Sequence, residues 1–168
     1  MVGGRITPAF TNNWLRQNAP QAPQIASHER LDRIGLIMAV SLVLTQAMFA
    51  QLSPLGAVMA LGAGVVTLAR LWQWRLYWVR QEPLLWVLQL GQLWAAIGYL
   101  LFACTALGWL PANVWLHALG AGAMGTMILG VMTRVCMGHT GRALQLPSGG
   151  VWIYILVTAA VLARLAAA

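Results

Sequence analysis

Two histidines bracket the part of this chain best suited to chemistry. His117 and His139 stand at the ends of an apolar run, Trp115 to Leu144, that also holds Met124, Met127, Met132, Met137, Cys136, Arg134 and Arg142. Imidazole and thioether suit haem iron and copper, whereas magnesium or calcium would want carboxylates. An unpaired polar side chain in hydrocarbon costs on the order of several kcal/mol, so such groups need a reason to be there. The two histidines are 22 residues apart, about 33 Å along a helix. An unbroken helix cannot bring both to one metal, which leaves two sites or one ligand histidine.

Each residue has a functional and a plain reading. His117 with Met124, seven positions on and so on one face of an α-helix, reads as a haem or copper ligand with a methionine nearby. The plain reading is an interfacial histidine bonded to water. Gln89, Gln92 and Tyr99 are the candidates to orient the His117 ring, Tyr99 being nearest in depth. His139, within GHTGR, is a second candidate ligand or a loop histidine favoured at a helix C-terminus. Arg134 and Arg142 flank it and could hold haem propionates, or serve topology and anionic lipid. Gly122, Thr126 and Gly130 recur every four residues, a smooth wall for a macrocycle or, as the better reading, a surface for close helix packing. Cys136 reads as a protonated, inert thiol, and His28 as solvated surface.

The elements that must carry these residues are membrane helices. The chain is 60% hydrophobic and only 8% charged, against about 25% charged for a soluble domain. Its net charge of +7 comes from ten arginines set against Glu29, Asp32 and Glu82. The arginines sit at the ends of apolar runs, so orientation and anionic lipid explain them, and no nucleic-acid partner is expected. No acid falls inside a span, and there is no phosphate loop, CxxC or GxSxG, which disfavours carboxylate-pair hydrolysis and proton relays through carboxylates.

Hydropathy predicts an all-α polytopic bundle with five spans, at about 34–52, 55–72, 84–107, 114–137 and 151–167, behind a cytoplasmic segment and linker at 1–33. Residues 1–15 read as a loop or frayed helix end, and 16–26 as an extended linker. Ser27 is a predicted N-cap, with Glu29 and Arg33 paired one turn apart. On the first span Met38, Ser41, Thr45 and Met48 should face neighbouring helices. On the second, Gly56, Ala60 and Gly64 make a small-residue packing face. Arginine-rich connections alternate with arginine-free ones, which predicts a cytoplasmic N-terminus and an external C-terminus. Cys104 and Cys136 fall near opposite membrane faces, so no disulfide is expected between them.

HALGAGAMGTMILGVMTRVCMGHTGRAL, His117 to Leu144, resembles the signature of the NnrS family, and GGRITPAFTNNWL, Gly3 to Leu15, resembles a second motif from the middle of that family. The resemblance implies a multi-pass protein of the bacterial inner membrane that carries haem and copper and acts in the nitric oxide response, with nitric oxide or nitrosylated iron species as its partners. Family members have roughly twice as many helices, so the chain resembles their C-terminal half, and a missing N-terminal half or another membrane subunit is expected beside it. The alternative, from the residues alone, is a metal-free transporter-like or structural bundle, or a truncated gene product.

Overall fold

The computed structural model describes residues 2–25, 29–49, 53–111 and 113–168. Ser27 and His28 lie outside them, as do the last residues of the first predicted span. The described residues are helical, without strands: α1 (Val2–Asn18), α2 (Glu29–Phe49), α3 (Pro54–Gln73), α4 (Pro83–Ala106), α5 (Val114–His139) and α6 (Gly150–Ala166). A single 3-10 turn, Leu76–Trp78, links α3 to α4. Helices α2 to α5 are long and apolar enough to cross a membrane, and α6 is a shorter apolar helix of 17 residues. The result is a helical membrane bundle.

Local chemistry sets where the spans begin and end. Ser53 accepts a hydrogen bond from the Gly56 N–H at 3.1 Å and Pro54 takes the first helical position of α3, where a missing N–H costs nothing. Glu82 and Pro83 repeat the device at α4, with the Glu82 carboxylate accepting from the Leu84 N–H at 3.3 Å. α4 stops at a left-handed Gly108, φ +78°, and the Trp109 N–H returns to the Cys104 carbonyl. α5 stops in the same way at Gly141, φ +66°, where the Arg142 N–H reaches the Met137 carbonyl at 3.1 Å. These six-to-one bonds satisfy carbonyls that a helix end leaves open.

α4 is the centre. Half of its apolar window is buried, against 6% for α2. It packs against α3 on one side and α5 on the other, while α2 leans on α3 and α6 on α5. The small face of α3 behaves as its spacing requires: Gly56 lies against the Phe102 ring, Ala60 is fully buried and Gly64 lies against Leu100. On α2, Met38 presses on Gly62 and Ser41 and Thr45 are half-buried, but Met48 is 78% exposed and does not join that inward face. The Glu29–Arg33 pair forms at 3.2 Å on an exposed surface, where it contributes little.

The N-terminal segment departs from the sequence expectation. Residues 2–18 are a 17-residue helix, not a loop, although Pro8 lies inside it. Tertiary contact outweighs the lost hydrogen bond: Thr7, Thr11 and Leu15, spaced four apart, are all buried. The segment after it is not a free linker either. Ala22 and Ile25 are buried with Leu15 against Trp74, Val79 and Leu85. Asn12 holds this returning segment by two hydrogen bonds, its Oδ1 accepting from the Ile25 N–H at 2.7 Å and its Nδ2 donating to the Ile25 carbonyl at 2.9 Å. Asn12→Ala removes both, about 1–3 kcal/mol. Limited proteolysis should then cut within residues 19–25 several-fold faster, with the spans remaining intact.

Candidate functional site

The functional candidates ride on α5, and α5 is not a uniform α-helix. It opens with one α-turn, Val114–His117, passes into a π-helix over Ala118–Gly125, and returns to α geometry at Thr126–His139. π segments of this length are rare and gather at functional sites. Here the segment is ALGAGAMG, where small residues leave space for the wider turn. Gly120 has no neighbouring atom within 4 Å of where a Cβ would stand.

The π spacing alters which residues share a face. Seven positions no longer make two turns, because each i→i+5 turn holds more residues than an α-turn. His117 is half-buried, whereas Met124 is 64% exposed. The α-helical register that set Met124 directly beneath His117 therefore does not hold. None of the groups expected to orient His117 hydrogen-bonds to it. Gln92 donates instead to the Met127 sulfur at 3.9 Å, and Gln89 Nε2 is enclosed without a partner. Tyr99 packs beside Phe102 and Ala103, with Trp115 edge-on to Phe102 at 4.9 Å.

The glycine face of α5 is filled by protein. A Cβ at Gly122 would stand 2.9 Å from the Trp94 ring, and one at Gly130 would stand 2.8 Å from Val87. The packing is reciprocal: Leu119 fills the space at Gly98 of α4, and Met127 that at Gly91. The α4–α5 seam is thus interdigitated helix packing and leaves no room for a macrocycle along it.

Arg134 is 8% exposed and points under α1, where its guanidinium lies 4.4 Å from the centre of the Phe10 ring. A desolvated cation–π contact contributes about 2 kcal/mol. The ion pairs among the described residues are Glu29–Arg33 and Asp32–Arg70, so Arg134 makes no direct salt bridge there, and Glu82 is the acid whose charge acts on it from a distance. His139 is the last residue of α5, not a loop residue beyond it, and is exposed, as is Arg142. Arg134, His139 and Arg142 therefore do not form one cluster. A cavity of about 430 Å³ opens beside Thr133, Met137, Leu146, Ser148 and Tyr154, and none of the three lines it.

An additional arrangement was not foreseen from the sequence. Met124, Ile128, Met132 and Cys136 recur every four residues and His139 follows three later, and all five are exposed. The outward face of α5 is thus a row of two thioethers, a thiol and an imidazole. The signal was present as simple i, i+4 spacing, but the α-helical register set Met124 with His117, and Cys136 read as an inert thiol. Cys104 and Cys136 are both free. Among the described residues no three His, Cys, Asp or Glu side chains stand together as a metal site. A metal on this face would therefore need methionine sulfur or ligands from elsewhere.

The family model described as NnrS protein matches residues 1–168, the whole chain. No curated protein and no solved structure matches the chain.

Proposed function

Because the chain belongs to the NnrS family, we propose that it is a haem- and copper-binding protein of the nitric oxide response, seated in the bacterial inner membrane with its N-terminus cytoplasmic. The observation that carries the copper part is the outward face of α5. Met132, Cys136 and His139 are neighbours on it, with Cβ atoms on the order of 5–6 Å apart. Thioether, thiolate and imidazole together are a donor set for cuprous ion. Met124 extends the row toward the π segment.

For haem, the half-buried His117 is the candidate iron ligand, and the buried Arg134, in no direct salt bridge among the described residues, is the candidate partner of a propionate. They stand 17 residues apart, on the order of 20 Å or more along the helix, so they would serve different groups. Arg142 and His139 at the exposed end could hold a propionate or iron in the same way. Haem held there would supply iron able to bind a diatomic molecule such as nitric oxide. The filled α4–α5 seam turns any such group toward other faces of α5. Those faces are open in this chain, which fits completion of the site by a further membrane segment or subunit.

Copper per protein, measured after loading with cuprous ion, tests the α5 face. Losing a single ligand should weaken binding at least as much as losing an outer-shell partner, roughly ten-fold or more. Cys136→Ser and His139→Ala should each show that loss, and Cys104→Ser should not. Equal copper in all three variants and the parent protein would remove this face from the account.

A further inference from the structure

We propose that the groove between the end of α3, the 3-10 turn and the start of α4 holds an anionic phospholipid, with an acyl chain along its walls and the phosphate at Arg80. The groove encloses about 380 Å³ and is walled by Leu71, Leu76, Trp86, Leu90 and Leu93, with Arg80 and the Gln89 side chain as its polar lining. Apolar walls of this kind exclude water and accept hydrocarbon.

Its position fixes the kind of occupant. The groove opens where one span ends and the next begins, within a belt of exposed aromatic side chains that includes Trp72, Tyr77 and Trp78. Such belts mark the level of lipid headgroups. A molecule seated there lies partly in hydrocarbon and partly in the headgroup layer, as a phospholipid does.

The charge at the mouth is positive and uncompensated. Arg75 and Arg80 are exposed and make no ion pair among the described residues. The three acids of this side are engaged elsewhere, Glu29 in its pair with Arg33 at 3.2 Å. Asp32 pairs with Arg70 at 2.9 Å, and the Glu82 carboxylate caps α4. A phosphate bearing net negative charge answers that surplus. A zwitterionic headgroup answers it less well, because its own ammonium opposes the arginines.

The turn that builds the groove is also strained. Arg75 adopts a left-handed backbone with φ 48° and ψ 56°, alone among the non-glycine residues described. That conformation is unfavourable for any residue with a Cβ. It reverses the chain so that Leu76 becomes a wall and the arginines stand at the rim. Strain of this kind concentrates where a backbone serves a ligand.

The test is native mass spectrometry of the detergent-purified full chain with added phosphatidylglycerol or phosphatidylcholine. The parent protein should retain a phosphatidylglycerol adduct at least five-fold more than a phosphatidylcholine one. Arg80→Gln should lose the preference, and Leu90→Trp, which fills the groove, should lose the adduct. Equal retention of both lipids, or an unchanged adduct in both variants, overturns the proposal. Should Leu90→Trp fail to fold, phosphatidylglycerol with a photoreactive acyl chain is crosslinked to the parent protein. Labelling of the peptide containing Trp86 to Leu93 supports the groove, and labelling confined to other segments overturns it. Neither readout depends on haem or copper.

Discussion

Gly122→Ala should destabilise the bundle by about 1–3 kcal/mol, the cost of overpacking a filled core. The added methyl would stand 2.9 Å from Cγ and Cδ2 of Trp94. Those atoms are near the root of a large ring that is itself 4% exposed among Ala118, Ala123 and Val161, so the ring cannot swing aside cheaply. Gly120→Ala, two residues earlier in the same π segment, meets nothing within 4 Å, and in a helix interior alanine is favoured over glycine by about 1 kcal/mol. Thermal unfolding in detergent should therefore separate the two variants, with Gly122→Ala melting several degrees lower and Gly120→Ala at or slightly above the parent. The same melting point for both would mean that Trp94 does not rest on Gly122.

His117→Ala should remove haem from the protein while leaving insertion and folding intact. The side chain is half-buried at the junction between the opening α-turn and the π segment. It makes no contact with Gln89, Gln92 or Tyr99 that would give it a structural hydrogen-bonding role. Its loss should thus cost little stability. As an iron ligand its loss should cost most of the bound haem, a fall of roughly ten-fold or more in affinity by comparison with the weaker effect of outer-shell partners. His139→Ala should spare this group, since it sits at the opposite end of α5, on the order of 30 Å away along the helix. Haem content that falls equally in both variants would contradict two separate sites.

Much of this architecture could be read from residue patterns, and the reasons are local. Ser53-Pro54 and Glu82-Pro83 start helices because a capping oxygen and a proline need nothing from the rest of the fold. The Gly56, Ala60 and Gly64 face was legible because a four-residue repeat of small side chains lets two apolar helices approach closely. Extents of α3 to α6 fall within a residue or two of expectation, as hydropathy and end signals agree there.

The misses share a different cause. α1 is polar and carries Pro8, so nothing in its own sequence favours a helix. It is held by burial of Thr7, Thr11 and Leu15 and by the Asn12 clamp, contacts with partners distant in the chain. Phe10 over Arg134 joins residues 124 positions apart and had no sequence signal. The π segment could not be seen because its glycines and alanines fit α and π geometry alike. That one local change moved Met124 out of register with His117 and left the methionine–cysteine–histidine row on the outside.

The most direct measurement is the visible absorption spectrum and copper content of the full chain, expressed in membranes and purified in mild detergent. A haem- and copper-binding chain should show a strong Soret band near one haem or more per protein, bound copper, and a spectral shift when nitric oxide is added to the reduced protein. A chain that is folded and helical yet colourless and copper-free after haem and cuprous ion are supplied would contradict that reading and favour a metal-free membrane bundle.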